Sequence, residues 1–330
     1  MAKTSKSFSG ADVLITGGLG FVGSNLAIEL AKRKANVTII DSLRPDYGGS
    51  MFNIEPVKDR VDVKVQDLND FGKTCEAVRG KDFIFHMASQ QSHVLWRDEP
   101  YSDLDDGIRA TVVLLEALKK TKSEPRLVFG GTRGEYGRQK SPVNENAVPN
   151  PLGFYELCKL FSGRACELYS RTYGFEFVWA RLTNIYGPRS SIKTNASGVV
   201  NWFVRLALEG KKIPLYYKGG IARDLLYAGD CVQALLLLAD CAEANGEIVN
   251  VGSGKPVTLL QVAEKIVEAA GSGSIEFVKA DAKRDKQEVG DAFLDVGKLE
   301  RLTGFRQETG LDEGIRLTAN YYKKYLQKYV

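Results

Sequence analysis

Residues 11–16 read Ala-Asp-Val-Leu-Ile-Thr, a short apolar run rich in residues that favour strands, and it stops at Gly17. From Ser24 to Lys34 the apolar positions change to helical spacing, and residues 36–40 return to a strand pattern that ends on Asp41. The alternation continues. Residues 61–65, 83–85, 126–129 and 175–180 predict four further strands, while 104–120, through Ile108, Val112, Leu115 and Leu118, and 154–173 predict long helices. Short apolar strands alternating with helices are the pattern of an α/β chain with a doubly wound parallel sheet. After Gly187-Pro188 the alternation fades into a Ser/Lys/Asn loop, 190–197, and the remainder mixes helices with short strands.

The first strand runs directly into Gly17-Gly18-Leu19-Gly20-Phe21-Val22-Gly23 and then into a helix. Strand, glycine turn and helix are the context of a dinucleotide fingerprint, in which glycines let backbone amides approach a pyrophosphate and the helix N-terminus favours the anion. Gly17, Gly20, Phe21, Val22 and Gly23 are therefore candidate cofactor contacts. Asp41 ends the second strand about 20 residues on, where an acid accepts hydrogen bonds from an adenosine ribose. A carboxylate there repels a 2′-phosphate, so NAD is expected in preference to NADP. On the helix predicted over 154–173, Tyr155 and Lys159 stand four residues apart and share one face. A tyrosine of ordinary pKa, about 10, is a poor base at neutral pH, but a neighbouring cation favours its phenolate.

Taken together, the chain resembles the extended short-chain dehydrogenase/reductase family, and within it the UDP-glucose 4-epimerase-like nucleotide-sugar epimerases and dehydratases. The matching segments run nearly end to end. They are Thr16 to Gly23, Asp67-Leu68, His86-Met87-Ala88-Ser89, the run from Gly131 to Gly137, Tyr155 with Lys159, the run from Arg181 to Arg189, that from Arg223 to Asp230, and that from Asn250 to Val257. The resemblance implies a Rossmann-type domain over about 1–180 that binds NAD, with strand exchange beyond that boundary, and a smaller α/β domain over about 181–330 that binds the nucleotide-sugar at the carboxyl edge of the sheet. It adds Asp67, Leu68 and Ala88 to the cofactor contacts, together with Tyr155 and Lys159.

The same resemblance assigns Tyr155, Lys159 and Thr132 to catalysis. Tyr155 would take a sugar hydroxyl proton as hydride leaves for NAD, Lys159 would keep the phenolate ionised and hold the nicotinamide ribose, and Thr132 would hydrogen-bond the reacting oxygen. A unit charge about 4 Å away is worth on the order of 4 kcal/mol at an effective dielectric of 20, enough to lower the tyrosine by up to about three units before desolvation is subtracted. Resembling dehydratases carry Asp-Glu directly after this Thr, and resembling decarboxylases carry Glu at the second position. Here those positions are Arg133 and Gly134. Glu135 is one residue out of place and, in an extended segment, would face the other way. Single-tyrosine chemistry, C4 epimerisation of an NDP-hexose through a 4-keto sugar, is the expectation, with decarboxylation or dehydration as alternatives. A non-catalytic NAD-binding regulator would have lost the tyrosine, and Tyr155 is intact.

For the substrate, Arg223 matches an arginine that grips diphosphate, Arg284 stands near a second such arginine, and Asn184 resembles a sugar or phosphate contact. Residues 195–201 and 214–217 are expected beside the base. Gln90 and His93 fall in a loop that lines the sugar pocket in this family, whereas His86 reads as a structural strand-end residue. Gly107 stands where the family often has Asn, so the supporting hydrogen bonds there must come from elsewhere.

Composition narrows the picture a little. A net charge of +4 over 45 basic and 41 acidic residues is too balanced for a nucleic-acid protein. The five cysteines are odd in number and lack paired spacing, which points to free thiols in a reducing compartment and to no metal site. No apolar run reaches membrane-spanning length and residues 1–10 carry no signal-peptide core, so a cytoplasmic protein without membrane association is expected. The resemblance implies a homodimer formed through the 104–120 helix and the helix of Tyr155, with Val113 and Leu160 either contacts of that interface or residues that face the sheet.

Overall fold

Strands β1 (Asp12–Thr16), β2 (Asn36–Asp41), β3 (Val61–Val65), β4 (Phe83–His86), β5 (Arg126–Thr132), β6 (Phe177–Leu182) and β10 (Glu247–Val251) form one parallel sheet in the order β10-β6-β5-β4-β1-β2-β3. They are seen in a computed structural model that describes residues 8–45, 47–90, 99–194, 198–280 and 288–330. Both faces of the sheet are covered over its inner strands, which read as continuous apolar runs, while the edge strand β3 alternates Val with Asp and Lys. Val13 and Ile15 pack with Val37, Ile39 and helices α1 (Phe21–Lys32) and α7 (Ala228–Asp240). Leu14, between them, points the other way, into Ile84, Leu127, Phe129 and the helices α2 (Phe71–Val78), α4 (Ala110–Thr121) and α5 (Phe154–Tyr173).

Strand order reverses between β1 and β4, so a crevice opens at their carboxyl ends, the usual ligand site of an open α/β sheet. Thr16 and His86 are register partners at that edge. Above it lies a smaller layer. β7 (Asn184–Tyr186), β9 (Ala222–Tyr227) and β11 (Pro256–Thr258) make a three-stranded sheet, and β8 (Lys212–Leu215) pairs with β12 (Ser274–Phe277). Helices α6 (Val199–Leu208), α8 (Leu259–Ala270) and Leu311–Tyr325 close a separate apolar core around Phe203, Val262, Ile266 and Tyr322. The two halves exchange elements, because α7 and β10 fall between β9 and β11 in sequence and yet α7 packs on the large sheet and β10 joins it.

The seam is hydrogen-bonded. Tyr329 donates to Asn53 Oδ1 at 2.7 Å, Asn53 Nδ2 donates to the Leu19 carbonyl inside the glycine turn at 2.7 Å, and Arg189 donates to the Asn53 carbonyl. The last residues of the chain thus help to shape the turn between β1 and α1.

Two elements depart from the sequence expectation. The helix expected over 104–120 is α4 preceded by a π-helical turn, Leu104–Arg109, and a short α3 (Pro100–Asp103). Asp105, Asp106 and Gly107 are weak helix formers, and the Gly107 carbonyl accepts from the side chains of Thr111 (2.7 Å) and Ser162 (3.3 Å). The sixth strand begins at Phe177, after α5 has ended at Gly174 in a left-handed conformation.

Candidate active site

Thr16 leads straight into the turn, and the chain reverses there only because the glycines lack side chains. A Cβ on Gly17, whose φ is +69°, would fall 2.8 Å from the backbone of Ala88, and one on Gly23 would fall 2.2 Å from the Gly17 carbonyl oxygen. Helix α1 starts at Phe21 with no side-chain cap and no acidic residue in its first turn, so its amides and dipole face the crevice. This is a cradle suited to a dinucleotide pyrophosphate. Gly17, Gly20, Phe21, Val22 and Gly23 border a cavity of about 410 Å³. Asp41, Asp67, Leu68 and Ala88 border an adjoining cavity of about 70 Å³.

Asp41 pins the turn. Its carboxylate accepts from the amides of Leu19 (3.0 Å) and Leu43 (2.9 Å), and burial pushes its pKa up against those two bonds. Arg44, beside it, is held at 3.0 Å from both Asp67 and Asp106.

Thr132, Tyr155 and Lys159 border the larger cavity together with the glycine turn. Lys159 is buried and donates to the Gly130 carbonyl at 2.9 Å, and burial brings its ammonium down to about 8. Tyr155 departs from expectation. Burial, followed by the negative charges of Glu156, Glu135 and Asp103, pushes its phenol up rather than down. The ammonium directs one of its three N–H bonds at the Gly130 carbonyl, and burial of the phenol decides the direction of its shift.

Thr132 caps the turn Arg133–Tyr136: its hydroxyl oxygen accepts from the Gly134 amide at 3.2 Å, and its own amide donates to Glu135 at 2.8 Å. The hydroxyl proton is not consumed by that cap. The turn is 3₁₀ rather than extended, which corrects the alternation argument for Glu135. Glu135 is nevertheless turned away from the cavity, fully buried and paired with Arg181 at 2.6 Å.

His86 is a buried structural residue. Thr111 spends its proton on the Gly107 carbonyl, so His86 Nε2 donates to Thr111 Oγ1 at 2.9 Å and Nδ1 accepts from Thr16 Oγ1 at 2.7 Å. Burial, then the charge of Lys159, pulls this imidazole down to about 3.

On the substrate side, Arg223 and Asn184 both border the cavity. Arg223 donates to Glu288 Oε1 and to the Gly290 carbonyl, each at 2.6 Å. Asn184 accepts from Arg133, whose guanidinium also faces the cavity and is brought down to about 10 by burial and then by Arg223. Of the expected stretch 195–201, the described part is 198–201, and Gly198, Val199 and Val200 reach the cavity wall. Gln90 does not. It is buried and donates to Asp103 at 3.2 Å. His93 and Arg284 lie outside the described residues.

Sequence reasoning passed over Glu156. It borders the cavity and fills space that two glycines leave: a Cβ on Gly134 would fall 2.5 Å from Glu156 Cγ, and one on Gly153 would fall 2.2 Å from Oε2. The available signal was its place directly after Tyr155.

A doubly wound sheet with a glycine cradle at its switch point, and a Tyr/Lys/Thr group in the same crevice, is the arrangement of a dinucleotide-dependent enzyme. Residues 13–252 match the NAD dependent epimerase/dehydratase family, and the chain belongs to that family. It is 31% identical to a putative UDP-glucose 4-epimerase of Methanocaldococcus jannaschii, over 94% of this chain and 98% of that protein. It is 29% identical to a UDP-N-acetyl-alpha-D-glucosaminuronate decarboxylase of Bacillus cytotoxicus, over 94% of this chain and 97% of the relative. Among solved structures, the UDP-glucose 4-epimerase of Thermus thermophilus in complex with NAD matches with a TM-score of 0.83 and 29% identity, over 94% of this chain and 99% of that one. NAD is the cofactor of the family, and the cradle described above fits it.

Proposed function

We propose that the protein is an NAD-dependent nucleotide-sugar epimerase that inverts C4 of an NDP-hexose through a 4-keto intermediate. One observation carries the reading: Tyr155, Lys159 and Thr132 share a single cavity with the glycine cradle, while positions 133 and 134 hold Arg and Gly. Bound NAD supplies the hydride acceptor and the charge of its oxidised ring. Lys159 holds the nicotinamide ribose from its station under Gly130. Tyr155 exchanges the C4 hydroxyl proton, and Thr132 donates its free hydroxyl proton to the same oxygen. Arg223 and Asn184 bind the diphosphate side, so that the sugar turns over while the nucleotide stays fixed.

A second reading, decarboxylation of an NDP-hexuronate, is favoured by the Arg133 guanidinium on the cavity wall, which suits a sugar carboxylate. Incubation of the purified protein with UDP-, GDP-, CDP- and dTDP-sugars, with products read by NMR, separates the two. C4 epimers support the first reading, and a pentose product overturns it.

The proposal includes a cytoplasmic homodimer. The free thiols suit a reducing compartment. Leu157, Phe161 and Leu168 stand exposed along α5, which supports helix packing against a second copy. Light scattering that gives a monomer at micromolar concentration removes the dimer.

A further inference from the structure

The space beside Gly134 is filled from another element. Glu156 belongs to the first turn of α5, which begins after Gly153, and there the helix dipole favours an anion. Its side chain folds back so that Cγ lies 2.5 Å from the Cβ that Gly134 lacks, and Oε1 lies 3.3 Å from the same point. Gly153 makes room on the other side. Support of the helix end would account for the contact with Gly153. It does not account for the second glycine, nor for a carboxylate that borders the cavity beside Arg133 and Tyr155.

We propose that Glu156 is a second proton-transfer group of this site, one that removes and returns a proton on a carbon next to the keto carbon, so that turnover exchanges that hydrogen with solvent. This rests on the epimerase reading, which supplies the 4-keto sugar. A ketone acidifies the C–H bonds beside it. The C–H electron pair forms the new C=C bond, the carbonyl pair moves onto oxygen, and the proton goes to the Glu156 carboxylate. Tyr155 and Thr132 donate hydrogen bonds to that oxygen, a role that suits a phenol kept protonated by burial and by nearby carboxylates. The carboxylic proton exchanges with water, and reversal returns a solvent hydrogen to the same carbon. No redox change and no co-reactant is involved.

The test is turnover by the holoenzyme in D₂O, with the NDP-hexose it converts and with product read by proton NMR and mass spectrometry. Deuterium is expected at C3 or C5, with the original hydrogen kept at C4. Glu156→Gln, nearly equal in size, is expected to lower the exchange rate by about a hundredfold, and by at least about tenfold more than it lowers C4 interconversion. Gly134→Ala, whose methyl group displaces Glu156 Cγ, is expected to lower the ratio in the same direction. A deuterium-free product from the unsubstituted enzyme overturns the proposal, as does an unchanged ratio in Glu156→Gln. Interconversion without exchange refutes this role alone and leaves the epimerase reading standing. Failure to convert any NDP-hexose removes both.

Discussion

Replacing His86 with Gln should remove an identifiable part of the protein's acid sensitivity. The imidazole sits between two threonine hydroxyls, fully buried, with its pKa at about 3 against an ordinary 6.5. Between those values the unfolded chain holds a proton on His86 that the folded chain does not. Stability therefore rises with pH across this window and is lost as pH falls from 6.5 toward about 3. The slope is about 1.4 kcal/mol per pH unit, so that lowering the pH to about 5 costs roughly 2 kcal/mol through this residue alone. Glutamine does not titrate. Urea unfolding of both proteins at about pH 7 and about pH 5 should show the wild type losing roughly 2 kcal/mol more than the variant. Other carboxylates add the same pH dependence to both proteins and the lost packing shifts the variant equally at both pH values, so the difference of differences isolates His86. Parallel pH dependences would refute the account, and would mean that the folded site accepts the proton.

Tyr155→Phe should keep the fold and NAD binding while lowering turnover by at least about a hundredfold, and near-normal turnover in steady-state assays would move proton transfer elsewhere. Gly23→Ala should lose bound NAD, because its methyl group meets the Gly17 carbonyl and the Gly18 backbone. The overpacking should cost about 1–3 kcal/mol, and cofactor content after purification checks it. NADH should bind more tightly than NADPH in fluorescence titrations, since Asp41 borders the smaller cavity, where the adenosine ribose is expected, and Arg44 is already paired with two carboxylates. Tighter NADPH binding would contradict that.

The large sheet was legible because its inner strands are buried on both faces, so β1, β2, β4 and β5 announce themselves as apolar runs bounded by glycine or charge, whereas the edge strand β3 alternates Val with Asp and Lys. The glycine turn and the pair Tyr155 and Lys159 were legible because their spacing is local to one turn or one helix, Asp41 because it ends the next strand, and Thr132 only through the family resemblance. What escaped depends on contacts distant in sequence. The π-helical turn at Leu104–Arg109 is settled by Gly107 meeting α5, and the direction of the Tyr155 shift by burial of its phenol among Glu156, Glu135 and Asp103. Glu156 was hidden for the same reason. Its place is made by glycines at 134 and 153, and only the folded turn brings both against it.

The central claim is that hydride leaves C4 and returns to C4 within one turnover. A substrate NDP-hexose deuterated at C4, converted by the holoenzyme in ordinary water, tests it most directly through NMR of the product. The account predicts an epimer that retains its C4 deuterium, with no net consumption of NAD, no carbon dioxide and no loss of water. Label lost to solvent, or a pentose product, would contradict C4 epimerisation.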